Sequence, residues 1–287
     1  MTNTITILGL GNMGHALATR FVCKGYVVTG WSRSGGDARA AEHAGYRLTA
    51  DLTNAVASSD VLLTSLFDDA AVEAMIPRLA ALPLQGKLIA ETSTIDPETL
   101  RGRAALLMAA GAGVIDAPIS GGPDMIADGT IGIFMGGSDA DVARFLPVAG
   151  DLSNRVARTG PLGSGYATKI MNNIALAGAF QSAIEALQTG QAMGLSKDVM
   201  LSVLEKGPAI TPMLRNRLPK VRGEDTTVGF SINGAIEDAK LFIRAANAAG
   251  VELTTMRAME ESFKAARDAG FGDADVVAAI QNRLGWL

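Results

Sequence analysis

The sequence predicts a doubly wound α/β domain followed by an all-α domain, with one long helix joining them. Three observations carry this. As far as Met135, short β-type runs alternate with helical stretches of roughly ten to fifteen residues, the pattern of βαβ units on a mostly parallel sheet. From Leu162 onward the strand signal stops and helical periodicity continues alone. Between them, Pro161 to Gly194 is filled with Ala, Ile, Leu and Met on almost every side. Such a stretch reads as a single helix buried all round, on the order of 45 Å long for about thirty residues. The turn Thr159-Gly-Pro-Leu-Gly163 places the border, giving domains 1–161 and 162–287.

The first run, Thr4 to Leu8, is followed at once by Gly9, Leu10, Gly11, Asn12, Met13 and Gly14, and then by an apolar helical pattern from Ala16 to Cys23. Glycines spaced G-x-G-x-x-G between a strand and a helix permit a tight turn, close backbone approach to a pyrophosphate, and helix-on-strand packing. The helix start adds N–H groups and a positive dipole end. A plain glycine turn is the alternative, and the strand and helix on either side favour a Rossmann-type dinucleotide site.

Tyr26 to Trp31 forms the next strand and ends in Ser32, Arg33 and Ser34. An NAD site places an acid near here for the ribose hydroxyls; two hydroxyls around an arginine suit a 2′-phosphate instead. NADP(H) is therefore expected over NAD(H). Val61 to Leu66 leads into Phe67 and a helix through Met75. Leu88 to Thr92 precedes Ser93 and Thr94, with Asp96 and Pro97 as N-cap and first residue of the next helix. Val114 to Asp116 and Ile131 to Met135 complete the strands. Ligands on such sheets bind beyond the carboxyl ends of the strands, where Gly9–Gly14, Leu66, Phe67, Thr94 and Asp116–Gly122 all fall. Ser120, Gly121 and Gly122 expose successive N–H groups beside a hydroxyl, which suits a carboxylate; an ordinary loop is the other reading.

The helical half continues with Lys197–Glu205, a loop holding Pro208 and Pro212, then Ile232–Ala249, Thr254–Ala269 and Asp275–Leu284. Lys169 sits in the joining helix, where burial disfavours an ammonium. Asn173 projects from the same face one turn on. Either Lys169 snorkels to solvent near the helix start, or it is a proton donor held in a cleft.

Composition narrows the classes. The chain has a net charge of -4 and few aromatics, which points away from nucleic acid. Its apolar runs are short and punctuated, so no membrane span is expected. With no basic segment ahead of an apolar stretch at the N-terminus, and with Cys23 the single cysteine, a cytoplasmic protein is expected. Cys23 lies on an apolar helix face and reads as core. Two histidines, His15 and His43, leave no His/Cys metal cluster and no histidine triad, so no metal is expected. Lysine is left as the candidate for proton chemistry.

Together these residues resemble the β-hydroxyacid dehydrogenase family, over essentially the whole chain. Four signatures stand in order: Gly9–Gly14, Asp116-Ala-Pro-Ile-Ser-Gly-Gly122, Gly163-Ser-Gly with Lys169 and Asn173, and Ile236-Glu-Asp-Ala239. The resemblance implies an NADPH-dependent oxidoreductase that interconverts a small semialdehyde or keto acid with its hydroxy acid or alcohol. It implies that Lys169 gives a proton to the developing alkoxide, that Asn173 binds substrate or orients the lysine, and that Ser120, Gly121 and Gly122 anchor a carboxylate. It makes Ser32–Ser34, Leu66, Phe67 and Thr94 cofactor contacts, and implies a homodimer or tetramer built through the helical domain.

Two departures bear on the substrate. Family members usually carry a small pair where Met125 and Ile126 stand, so both should grease the mouth of the pocket. The usual Lys-Asp-Leu appears as Glu237-Asp238-Ala239, an anion for a cation, with Lys240 three positions on. The alternatives are an imine reductase or reductive aminase, enzymes that usually have aspartate or tyrosine in place of Lys169, and a non-catalytic dinucleotide-binding protein, a class that lacks the lysine.

Overall fold

The computed structural model describes residues 3–286, and the chain divides into two compact units, Met1–Lys169 and Ile170–Leu287. In the first unit the strands are β1 (Thr4–Leu8), β2 (Val27–Trp31), β3 (Arg47–Thr49), β4 (Val61–Thr64), β5 (Leu88–Glu91), β6 (Gly113–Asp116), β7 (Ile119–Ser120), β8 (Gly132–Gly137) and β9 (Arg155–Gly160). They form one sheet in the order β3-β2-β1-β4-β5-β6-β8, with β6 and β7 along one side of β8 and β9 along the other. The strands from β3 to β6 run parallel, and β8 is antiparallel to β6. Strand order reverses between β1 and β4, which is where a doubly wound sheet opens a crevice.

The alternation along each strand shows why both faces are covered. Ile5, Ile7, Leu63, Leu88, Ala90 and Ile115 feed the core on one face. Their neighbours Leu8, Leu62, Ile89 and Val114 feed the core on the other. Period-two side chains that are apolar on both faces make a sheet with helices on each side. Those helices are α1 (Asn12–Cys23), α2 (Ala38–Ala44), α3 (Leu52–Ala57), α4 (Asp69–Ala80), α5 (Pro97–Arg101), α6 (Ala104–Ala109), α7 (Pro123–Asp128) and α8 (Asp139–Leu152). Asp37, Asp51, Asp68, Asp96 and Ser138 cap α2, α3, α4, α5 and α8 with side-chain oxygens, each worth about 1 kcal/mol. By contrast, α1 and α7 start on Gly11 and Gly122 with no side-chain cap.

Helix α9 (Ser164–Ala192) has 29 residues, about 44 Å at 1.5 Å per residue, and passes from the first unit into the second. The second unit continues with α10 (Lys197–Lys206), α11 (Pro212–Arg215), α12 (Leu218–Arg222), α13 (Ile232–Ala248), α14 (Thr254–Ala266) and α15 (Ala278–Leu284). Phe180, Ile184, Leu187, Ile236, Phe242, Phe263 and Ile280 are among the residues of its core. Among the described residues, no helix is long and apolar enough to cross a membrane.

Several expectations are corrected here. Helix α9 is not buried all round: Met171 is 62% exposed, and so is Met193 just past its end, at 79%. Cys23 is exposed, not core, because two residues beyond buried Phe21 carry it to the opposite face of α1. The stretch after Pro208 contains α11 and α12, each with proline at its start, where the missing N–H costs nothing.

Candidate active site

The turn after β1 is built from two glycines that the protein's own backbone demands. Gly9 has φ +106°, and a Cβ there would stand 2.2 Å from the carbonyl oxygen of Ser65 at the end of β4. A Cβ on Gly14 would stand 1.9 Å from the carbonyl oxygen of Gly9. Gly11 differs: a Cβ there meets nothing within 4 Å. The protein leaves open space over Gly11 at the uncapped start of α1, with Asn12 and Met13 in its first turn. That cradle fits a pyrophosphate, which needs close backbone approach and unfilled N–H donors. Leu10 packs the other way, into the gap over Gly30.

Beside this turn lies a cavity of about 380 Å³ lined by Gly11, Asn12, His15, Asp37, Tyr46 and Pro123, among others. In its wall, His15 Nδ1 and the Tyr46 hydroxyl are 3.0 Å apart. Sequence reasoning missed both. The place of His15 one residue past the glycine motif was a usable signal, whereas Tyr46 arrives from the segment before β3 with none. At the end of β2, the hydroxyls of Ser32 and Ser34 lie 3.2 Å apart and Arg33 is exposed. Phe67, after β4, is 90% exposed, while Leu66 is partly buried.

Lys169 is only 7% exposed, and its Nζ donates to Thr94 Oγ1 at 2.5 Å. The snorkelling alternative is thereby removed. Two buried acids bond the segments that carry these partners. Glu91, the last residue of β5, accepts from the Ser93 N–H at 2.7 Å and from the Thr64 hydroxyl at 2.5 Å. Ser93 Oγ accepts the Leu66 N–H at 2.8 Å, so the ends of β4 and β5 are tied together. Burial pushes the Glu91 carboxyl up to about 7, against the pull of its hydrogen bonds from Ser93 and Thr64, with Asp116 adding a smaller push.

Asp116 ends β6 and pairs with Glu91 in the sheet register. It is fully buried and accepts the N–H groups of Gly163 at 2.7 Å and Tyr166 at 2.8 Å, which caps the start of α9. Burial raises its pKa, and the amide hydrogen bonds oppose that. Tyr166 is buried beside these acids with its hydroxyl unpartnered, and burial first, then Glu91, Asp116 and Asp69, raise its phenol well above the ordinary value.

Ser120, in β7, is partly buried, and Gly121 and Gly122 follow it beyond the carboxyl edge of the sheet. Met125 packs beside Gly121 against the core. Ile126 corrects an expectation: it is fully buried in the core and cannot grease a pocket mouth. Asn173 is one turn beyond Lys169 in α9, and its Oδ1 accepts from Asn172 at 3.2 Å. In the second unit Glu237 is ion-paired with Lys240 at 2.7 Å, so its charge is locally balanced.

Comparison with known proteins finds matches over both units. Residues 4–160 match the NAD binding domain of 6-phosphogluconate dehydrogenase, and residues 163–282 match the NAD-binding domain of NADP-dependent 3-hydroxyisobutyrate dehydrogenase. Glyoxylate/succinic semialdehyde reductase 1 of Arabidopsis thaliana is 25% identical over 280 residues, 96% of this chain and 97% of that one. The structure of 3-hydroxyisobutyrate dehydrogenase from Mycobacterium tuberculosis with L-serine superposes with a TM-score of 0.87 at 28% identity, covering 98% of this chain and 99% of the other. A reductive aminase from Aspergillus terreus in complex with NADPH and ethyl levulinate superposes with a TM-score of 0.65 at 27% identity, covering 98% and 99%. With the glycine cradle, the buried Lys169 and matches running the length of both units, the chain belongs to the β-hydroxyacid dehydrogenase family.

Proposed function

We infer that the chain is an NADPH-dependent reductase of small semialdehydes or keto acids, working reversibly on the corresponding alcohols, with Lys169 as its general acid and base. As a family member it is an oxidoreductase of CH–OH groups that binds a nicotinamide dinucleotide.

The observation that carries it is the buried Lys169 ammonium held on Thr94 Oγ1. Thr94 lies on the turn beyond β5, at the carboxyl edge where the glycine cradle also opens. A dinucleotide held by its pyrophosphate at that cradle would supply hydride for reduction and take it up for oxidation. Lys169 then has two tasks at Nζ: to give a proton to the carbonyl oxygen as negative charge develops there, and to recover one in the reverse direction. Its hydrogen bond to Thr94 fixes where Nζ points, and low exposure keeps bulk water from competing for the proton. Gly9, Leu10, Gly11, Asn12, Met13 and Gly14 hold the pyrophosphate. Leu66, Phe67 and Thr94 contact the cofactor, Ser120, Gly121, Gly122 and Met125 form the substrate subsite, and Asn173 orients substrate or lysine.

Exposed Arg33 between Ser32 and Ser34 supports NADPH preference, since a guanidinium pairs well with a phosphate. Domain 1–161 serves the cofactor and domain 162–287 serves substrate and assembly, and the protein works in the cytoplasm. Apolar side chains exposed in the second unit, Met171 (62%), Met193 (79%), Val199 (50%) and Val203 (65%), support a homodimer or tetramer formed there. The presence of Lys169, and the closer superposition on the hydroxyacid enzyme than on the reductive aminase, favour carbonyl over imine reduction.

The test is Lys169→Ala assayed by NADPH consumption on semialdehydes, keto acids, neutral carbonyls and cyclic imines. Turnover should fall by about 10²–10⁴-fold, the range for a removed general acid, with NADPH affinity near that of the unaltered protein. A fully active variant refutes the role. Turnover on imines alone would favour the aminase reading.

A further inference from the structure

Glu91 is a buried acid that the mechanism above does not use. It is 3% exposed at the end of a strand whose four residues are all buried, and among the described residues it has no cationic partner. A carboxylate in such a place is expensive unless its hydrogen bonds do something for the fold or the site. One of its two bonds leads toward Lys169, and the other ties it to β4. Oε1 accepts the Ser93 N–H, and Oε2 engages the Thr64 hydroxyl. Ser93 takes up the Leu66 N–H. Thr94, the next residue along, is the acceptor for the Lys169 ammonium. One strand over, Asp116 holds the Gly163 and Tyr166 amides, and so fixes the first turn of the helix on which Lys169 is carried.

We propose that Glu91 is a positioning residue for the reaction, setting the Lys169–Thr94 contact through the Ser93–Thr94 turn while its sheet neighbour Asp116 fixes the helix that bears the lysine. The division of labour is geometric. Asp116 determines where the lysine's backbone starts, and Glu91 determines where the hydroxyl that receives its Nζ stands. A displacement of about 1 Å at such a contact is enough to cost on the order of a hundredfold in rate. Because Gln presents the same oxygen to the Ser93 N–H and can donate to Thr64 Oγ1, it preserves the connection without the charge, whereas Leu fills the volume and abolishes it.

The proposal rests on the reading of Lys169 as proton donor, so Lys169→Ala is measured alongside. With full-length protein and a carbonyl substrate identified by the screen above, Glu91→Leu should lower kcat about 10–100-fold with little change in substrate KM. Glu91→Gln should recover most of that loss. In a Thr94→Val background Glu91→Leu should cost almost nothing further, because both changes act on one contact. Should the leucine variant fail to fold, Glu91→Met, whose more adaptable side chain fills the site and still abolishes both hydrogen bonds, is put through the same cycle with Thr94→Val and should show the same loss and non-additivity. The proposal is overturned if Lys169→Ala is impaired while Glu91→Leu, or Glu91→Met in its stead, keeps its kcat. Glutamine as damaging as leucine, or strictly additive losses with Thr94→Val, overturns it too. A fully active Lys169→Ala removes the lysine's role, and this proposal goes with it.

Discussion

The three glycines of the turn after β1 should separate into two physical classes when each is changed to alanine. Gly14→Ala places a methyl carbon 1.9 Å from the Gly9 carbonyl oxygen, and Gly9→Ala places one 2.2 Å from the Ser65 carbonyl oxygen at φ +106°. Neither obstacle is a flexible side-chain end, so backbone must move. Overpacking costs about 1–3 kcal/mol and the unfavourable φ at Gly9 a similar amount, giving roughly 3 kcal/mol and a fall of roughly 10 °C in Tm. Gly11→Ala meets nothing within 4 Å, at φ -69° and ψ -171°, a conformation open to any residue. Its stability should therefore stay within about 0.5 kcal/mol. Its methyl group nonetheless fills the space a pyrophosphate would occupy, and NADPH affinity should fall at least about tenfold, or about 1.4 kcal/mol. Thermal unfolding of the cofactor-free variants, with NADPH titration followed by fluorescence, measures both. Gly11→Ala binding NADPH as tightly as the parent would refute the cradle, and a fully stable Gly14→Ala would refute the packing argument.

Other expectations follow from the same geometry. With its carboxyl raised to about 7 in the fold against an ordinary 4.5, Glu91 is protonated in the folded chain and ionised in the unfolded one between those two pH values. Its contribution to stability is thus full below about pH 4.5 and is lost as pH rises through about 7, by about 3 kcal/mol in all. Glu91→Gln should lack this loss, so its stability relative to the parent should improve by about 2–3 kcal/mol between pH 5 and pH 8.5 in urea unfolding; parallel curves would show that the acid is not buried as described. Arg33→Ala should lower kcat/KM for NADPH about 10–100-fold, from a lost charge-assisted phosphate contact, and leave NADH almost unchanged. A parent enzyme that prefers NADH would defeat that reading. Val203→Lys, at a position 65% exposed, should keep the fold and reduce the mass measured by light scattering toward a single chain; a parent that is already monomeric at micromolar concentration sinks the assembly.

How much of the fold the sequence discloses depends on how completely each element is buried. Strands β1, β2, β4, β5 and β6 lie inside the sheet with apolar residues on both faces, and their runs are plain. Strand β9 reads Arg-Val-Ala-Arg-Thr-Gly and is largely exposed or half-buried, because it is an edge strand and needs little apolar surface. Strands β3 and β7 have three and two residues, too few for any period to register. Helices α11 and α12 were hidden by Pro212 and Pro219, whose position at a helix start is visible only once the Thr211 cap and the chain direction are known. Ile126 misled because the sequence places it just past the Ser-Gly-Gly turn, while the short helix α7 rotates it into the core.

The site divides along the same line. Gly9–Gly14, Thr94 and Lys169 are legible because each is an unusual residue in a regular context: glycines between strand and helix, a hydroxyl past a strand end, a cation in an apolar helix. What supports them is not, since Glu91 and Asp116 are 25 positions apart and become neighbours only through the β5–β6 register. An acid closing the apolar run Leu88-Ile-Ala-Glu91 was the one available hint, and it points to a buried carboxylate without saying what that carboxylate holds. Parallel pairing supplies the missing step: it lines up the carboxyl ends of β4, β5 and β6, so Thr64, Glu91 and Asp116 stand in a row. A row of polar ends beneath the turns carrying Leu66 and Thr94 is the least costly way to fix those turns, because each buried backbone N–H finds an acceptor without a loop having to fold back on itself. The Lys169 amine is then placed by groups held at rigid strand ends.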